Sequence, residues 1–275
     1  MAAESLAACE AIVRKADPNR FISALFAPAA KRPLLFALYA FNHELAHVGE
    51  SVREPMMGEI RLQWWREAVD GARSGQPRAH DVARGLAEIF AAIDLPNELF
   101  DAMIDARAFD LGVEPFATLE ALEAYADSTS GNLMRLAAHI LGDGARHDEL
   151  AREAGIAMAL TAILRAIPFH ASRRKLFLPA DLLSEVDIEE TFAGRETANL
   201  RTVVGIIAAR VREHLAKARR MPKPAALAAF LPAALVPGYI RLITKPSFDP
   251  FKTPAEIPLY HRQLALLRAS LRGRV

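Results

Sequence analysis

Pro33-Leu34-Leu35-Phe36-Ala37-Leu38-Tyr39-Ala40-Phe41-Asn42-His43-Glu44-Leu45-Ala46-His47-Val48-Gly49-Glu50 reads as a helix that belongs at the centre of a protein. Leu34, Leu38, Phe41, Leu45, Val48 and Val52 step by four and three residues, which draws one apolar stripe along a helical surface. Leu35, Phe36, Ala37 and Tyr39 carry the apolar surface round the first half, leaving no side suited to water. Pro33 fits the first turn, where its missing N–H has no intrahelical partner to lose. The spacing predicts a helix over Pro33–Glu54.

A second helix of this kind is expected over Gly155–Leu178, where Ile156, Met158, Leu160, Ile163 and Leu164 leave hardly any polar side. Pro168 must kink or end it, because the proline ring clashes with the carbonyl four residues earlier. Further helical patterns fall at about 58–74, 78–93, 97–112, 118–141, 147–168, 197–220 and 256–272. Pro/Gly punctuation separates them at Gly75-Gln76-Pro77, Leu95-Pro96, Glu114-Pro115, Gly142-Asp143-Gly144 and Pro222-Lys223-Pro224. Thr118 is placed to cap the helix that follows it; Ala121, three residues on, rules out a reciprocal capping box. Strand-like alternation is scarce and no internal repeat is visible. The reading is an all-α bundle, one domain over residues 1–275, around either a cavity or a solid core.

Bulk properties narrow the function. Apolar residues make up 52% of the chain, enough for an extensive core. Net charge is +1 with no Lys/Arg tract, so nucleic acid is not an expected partner. Cys9 is the sole cysteine, which excludes an intramolecular disulfide and a cysteine-based zinc site. Glu4 and Glu10 interrupt the N-terminus, so neither a signal nor a transit peptide is expected. Ala225–Ile240, within the longest uncharged stretch, is 16 residues and contains Pro232 and Pro237, too short and too broken to span a bilayer. The expectation is a cytoplasmic protein without a transmembrane helix, peripheral on the inner membrane if it meets one. Ala225–Ile240 is the segment that would press on a bilayer, against the plainer use as a proline-segmented buried helix.

Several segments, in order and spacing over nearly the whole chain, resemble the squalene/phytoene synthase family. They are Asp17-Pro18-Asn19-Arg20-Phe21; Leu34-Leu35-Phe36-Ala37-Leu38-Tyr39-Ala40-Phe41; Gly58-Glu59-Ile60-Arg61-Leu62-Gln63-Trp64-Trp65-Arg66-Glu67-Ala68; Tyr125 with Ser130-Gly131-Asn132-Leu133; and Ile163-Leu164-Arg165 with Arg173-Arg174-Lys175-Leu176-Phe177-Leu178-Pro179. The resemblance implies an isoprenoid (terpenoid) synthase-type helical bundle around a central cavity. It implies enzymes that join two prenyl diphosphates head to head, using two aspartate-rich motifs with aspartates four residues apart. That spacing sets two carboxylates on one helical face, where they hold magnesium against the diphosphate.

At the matching positions this chain has Ala46 and Glu50 in the first motif, and Ala166 and His170 in the second. Ala159 and Ala162 occupy the places of polar substrate-contacting residues upstream. Of the four carboxylates the resemblance implies, one remains. The degenerate positions expected to line the cavity are therefore Ala46, His47, Glu50, Ala162, Ala166 and His170, with no catalytic residue among them.

The runs Tyr39–Ala46 and Leu164–Lys175 are similar to one branch of the family, that of mitochondrial complex I assembly factor 6. That branch is non-catalytic and acts in maturation of the respiratory NADH dehydrogenase. The resemblance implies an assembly or chaperone-like factor with complex I subunits or assembly intermediates as partners and no cofactor. Two alternatives stay open: a magnesium-dependent prenyltransferase of the phytoene/squalene type, with Glu50 and Glu44 as ligands, and a protein that binds a lipid or prenyl diphosphate without turnover.

Other residues each admit a sharp and a plain reading. His43, His47 and Glu50 lie at i, i+4 and i+7, opposite the apolar stripe; with His170 across the cavity they are the candidates for zinc or ferrous iron. The plain reading is a polar face on a wet cleft, with no metal. Arg165, Arg173, Arg174 and Lys175 are candidates for holding a phosphate oxygen, or are cations at a helix end. Trp64, Trp65 and Arg66 suit a partner-facing hot spot or, for at least one tryptophan, the core. Tyr125 near Asp127, Ser128 and Ser130 suggests a nucleophile, but no Gly-x-Ser-x-Gly elbow, phosphate loop or Cys/His pairing accompanies it.

Overall fold

A computed structural model describes residues 2–52 and 54–275. The N-terminal half comprises α1 (Ala2–Ala16), α2 (Pro18–Ala24), α3 (Arg32–Ser51), α4 (Pro55–Arg73), α5 (Asp81–Ala92), α6 (Asn97–Ala106), α7 (Leu119–Ala126) and α8 (Asn132–Ile140). The C-terminal half comprises α9 (Asp148–Arg165), α10 (Ile167–Ser172), α11 (Ile188–Phe192), α12 (Ala198–Arg220), α13 (Leu227–Phe230), α14 (Val236–Ile243) and α15 (Leu259–Arg272). Among the described residues no strand forms; one isolated parallel bridge joins Phe116 and Pro179.

The apolar patterns set the layering. In α3, every residue from Leu35 to Phe41 is buried, as are Leu45 and Val48 on its stripe. It packs against α1, α5, α4 and α8 and anchors one core, in which Phe41 meets Trp65 edge-on at 5.5 Å. The other core forms round α9, which is buried on nearly every side and packs against α12, α14 and α7. Gly155 on α9 rests on Gly131: a side chain there would meet Gly131 backbone atoms at 2.5 Å. Only a glycine allows that approach. Polar ties on the α12 side are buried, with His214 Nδ1 and Glu153 Oε2 2.6 Å apart.

Several boundaries differ from the periodic reading, each for a local reason. The helix expected over Gly155–Leu178 stops at Arg165, restarts at Ile167 with Pro168 in its first turn, and ends at Ser172. The 97–112 pattern leaves α-geometry at Arg107 and tightens into a 3₁₀ turn, Arg107–Leu111. The 118–141 pattern is interrupted by a π turn, Asp127–Gly131, of a sort frequent at functional sites. The final helix starts at Leu259, after Pro258. Helices α1 and α2 lie before the first pattern identified; Asp17 caps α2 by accepting from the Arg20 N–H at 2.9 Å. Thr118 caps α7 as expected, accepting from Ala121 N–H at 3.2 Å.

Ala225–Ile240 folds as α13, a 3₁₀ turn and the start of α14, with Phe230, Leu231 and Ala233 fully buried. The stretch belongs to the interior, and the bilayer-facing reading of it falls. No helix among the described residues is long and apolar enough to cross a membrane.

Candidate functional site

Between the two cores lies a cavity of about 380 Å³. One wall is α3, which presents Tyr39, Asn42, His43, Ala46, Gly49 and Glu50. Facing it, α9 and α10 present Ala159, Ala162, Arg165, Ala166, Phe169 and His170. Arg107, Asp110 and Tyr125 close one side, and Asp17, Asn19, Arg20 and Tyr239 another. Ala46, Glu50, Ala162, Ala166 and His170 thus share the cavity anticipated for them.

His47 does not. One residue beyond Ala46 is a turn of about 100° round the helix, and this carries His47 to a separate outer groove shared with Trp64, Trp65 and His80. There its Nδ1 sits 2.9 Å from Glu50 Oε2, and its ring stacks with His43 at 5.7 Å. His170 does not join them. Its ring packs on Phe177 at 4.5 Å, and the contact across to the end of α3 comes from Arg173, whose Nη1 donates to the Glu50 carbonyl at 3.0 Å. Among the described residues no group of three His, Cys, Asp or Glu is placed to hold a metal, so the four-residue zinc or iron arrangement is not assembled.

The remaining acids are all engaged. Asp17 accepts from Arg20 Nη1 at 2.5 Å. Asp110 accepts from Arg107 Nη1 at 3.0 Å and from the Tyr125 hydroxyl at 2.7 Å, and Arg107 also donates to that hydroxyl at 2.7 Å. Burial pushes the Tyr125 phenol far above its usual range, with Arg107 opposing and Asp110 adding, so it stays protonated and donates. A hydroxyl tied between Asp110 and Arg107, and kept protonated by burial, does not favour the nucleophile reading. Tyr39 is likewise kept protonated, pushed up to about 12 by burial against the opposing Arg20 charge. Gly49 permits the junction: a side chain there would meet the Asp110 carbonyl oxygen at 2.8 Å.

The cations are less compensated. Arg165 Nε donates to the Ala255 carbonyl at 3.1 Å, and its guanidinium lies 4.0 Å over the Tyr239 ring. Lys175 Nζ donates to the Asp110 carbonyl at 2.9 Å; burial lowers its pKa, with Asp110 opposing and Arg173 adding. With Arg173, these are bound by backbone oxygens, and among the described residues none has a carboxylate within ion-pair distance. Burial, then Lys175 and Arg173, lower His170 to about 4, so it is neutral near pH 7. Arg174 departs from the group. It adopts φ 54°, pairs with Glu189 at 2.7 Å, and is not part of the cavity wall.

Magnesium fits this donor set poorly. It prefers several oxygen ligands, whereas the walls offer alanine at 46, 159, 162 and 166, a neutral imidazole at 170, and carboxylates already bonded. The arrangement instead suits an anion or the polar end of an amphipathic molecule, received by Arg165, Arg173 and Lys175. Sequence reasoning missed Arg107 and Asp110, which sit in the 3₁₀ turn with no periodic signal. It also missed Tyr239, whose hydroxyl accepts from Asn19 Nδ2 at 3.0 Å. For Arg20, the cap residue Asp17 three positions earlier was the available signal.

The squalene/phytoene synthase family profile matches residues 13–268, and the chain belongs to that family. The fold agrees: a crystal structure of a dehydrosqualene synthase superposes with a TM-score of 0.85 at 17% identity, covering 98% of this chain and 97% of that one. Within the family, NADH dehydrogenase (ubiquinone) complex I, assembly factor 6 of Bos taurus is 34% identical over 269 residues, covering 96% of this chain and 79% of the relative. A phytoene synthase of Thermus thermophilus is 29% identical, covering 96% of this chain and 91% of the enzyme.

Proposed function

We propose that this protein is a non-catalytic member of its family, acting as an assembly or chaperone-like factor for respiratory complex I at the inner-membrane surface. The observation that carries this reading is the alanine at 46, 159, 162 and 166, facing each other across a cavity whose remaining acids are all paired. The identity to assembly factor 6 supports the choice of client. In this reading the protein needs no metal cofactor and works by binding, with the cavity receiving a lipid or a segment of a client subunit. The cations Arg165, Arg173 and Lys175 favour a second use of the same cavity, retention of a lipid or prenyl diphosphate without turnover.

Deleting the gene and measuring assembled NADH dehydrogenase by native gel and activity tests the first reading, which expects a clear loss of assembled complex. Unchanged assembly rejects it. Incubating purified protein with farnesyl or geranylgeranyl diphosphate and magnesium separates binding from catalysis: release of pyrophosphate at enzymatic rates rejects the non-catalytic assignment.

A further inference from the structure

The last helix carries a second surface that the cavity does not explain. Tyr260, Leu264, Leu267 and Leu271 are spaced four, three and four apart, so they fall on one face of α15. Their exposures are 64%, 40%, 47% and 80%. The inward face is made by Leu266 and Ala269, fixed to the α9–α12 core. The exposed leucines stand outside the buried core of the chain, and keeping an apolar line in water marks an interaction site.

Charge selects the occupant. From Ile257 to Val275 there is no Asp or Glu, whereas Arg262, Arg268, Arg272 and Arg274 fall in the same segment. Arg268 and Arg272, both exposed, flank the apolar line on the same side as His261. The end of α12 brings more positive charge, since Arg219 Nε donates to the Val275 carbonyl at 3.0 Å and Lys223 packs beside Gly273. Among the described residues Arg268, Arg272 and Arg274 have no carboxylate within ion-pair distance. A second copy of this face would bring like charges together, which opposes dimerisation through it. An apolar line flanked by unpaired arginines matches the boundary between acyl chains and anionic headgroups, where leucines enter the hydrocarbon and guanidinium groups meet phosphates.

We infer that α15 is a docking surface for anionic phospholipid bilayers, with Leu264, Leu267 and Leu271 entering the interface and Arg268 and Arg272 binding headgroups. On the inner face of the same helix, Arg262 Nη1 donates to Asn19 Oδ1 at 2.9 Å, and Asn19 lines the cavity. Docking through α15 thus sets the cavity edge close to the lipid surface. The inference is independent of the client proposed above, because the test contains no complex I.

Flotation of the full chain with phosphatidylcholine vesicles, with and without phosphatidylglycerol, tests it. Wild-type protein is expected to float with the anionic vesicles only, and less so as salt rises. Arg268→Glu with Arg272→Glu should weaken partition by about thirtyfold. Leu267→Asp with Leu271→Asp should weaken it by at least about tenfold. All four side chains are exposed, and an unchanged melting temperature verifies that each variant is folded. Four results overturn the inference: no flotation, equal flotation with neutral vesicles, flotation unmoved by either variant, or a wild-type dimer that both variants dissolve.

Discussion

Two walls of the same cavity treat carboxylates in opposite ways. The Arg107–Asp110–Tyr125 side keeps a buried acid, held by a guanidinium and a phenol that without it would have only each other, and the guanidinium no counter-charge. The α3 and α9–α10 walls, where paired acids would face each other, carry Ala46, Ala159, Ala162 and Ala166. A lone buried carboxylate is costly, and two facing ones are costlier still unless a metal neutralises them. Acids therefore persist where the protein supplies its own counter-charge and are missing where an ion would have to. The first wall ties its acid within the protein, whereas the second offers magnesium few free oxygens.

The largest test removes the structural acid. Asp110→Ala should destabilise the fold by about 3–5 kcal/mol in urea unfolding, because it leaves a buried arginine without its counter-charge. A loss under about 1 kcal/mol would break the contrast, since exposed pairs behave that way. The complementary experiment rebuilds the vacated wall. Ala46→Asp combined with Ala166→Asp adds two carboxylates to the cavity that Glu50 lines, and saturating magnesium should then stabilise the variant by about 2–3 kcal/mol while leaving wild type unmoved. Absence of any magnesium response in thermal unfolding would show that the cations alone forbid the ion.

Tyr125→Phe is a finer probe of the tied wall. It strips Asp110 of one donor and should cost about 1–2 kcal/mol by urea unfolding. The smallest expected effect concerns His170 on the opposite wall. Its folded pKa, about 4, lies below the ordinary 6.5, so the unfolded chain binds the proton first as pH falls. Stability is therefore complete above pH 6.5 and declines between pH 6.5 and 4. Because His170 is only partly buried, the loss should be about 1 kcal/mol. His170→Gln should remove that slope in paired unfolding curves at pH 7 and pH 4.5. An equal slope in both proteins would place the titrating group elsewhere.

How far the sequence reached depends on the range of the interaction. The stripe on α3, the break at Pro168 and the Thr118 cap were legible because each rests on neighbours within a turn or two. The assignment of His47 to the cavity failed because the edge of a cavity on a helix is set by what packs beside it. Here Trp64, Trp65 and His80 form a groove just past Ala46. The grouping of Arg165, Arg173, Arg174 and Lys175 lost Arg174 to a left-handed backbone turn that no periodicity announces. The membrane-facing expectation fell on Ala225–Ile240, the most apolar run, whereas the exposed leucines belong to α15, where charge and apolar residues alternate by face.

By itself the sequence determined the helical class, the two central helices and the alanines at 46, 159, 162 and 166, which the family resemblance marks as places of acidic or polar residues, since periodicity and residue identity are carried by the chain directly. Tertiary structure alone decided which polar groups meet: Asp110 with Tyr125, Arg173 with the end of α3, and Arg165 with Tyr239. Those contacts join residues from different helices, and their partners are chosen by backbone approaches such as Gly49 to Asp110 and Gly155 to Gly131. Burial then makes each pairing matter, because a polar group shut away from water must find its partner in the fold.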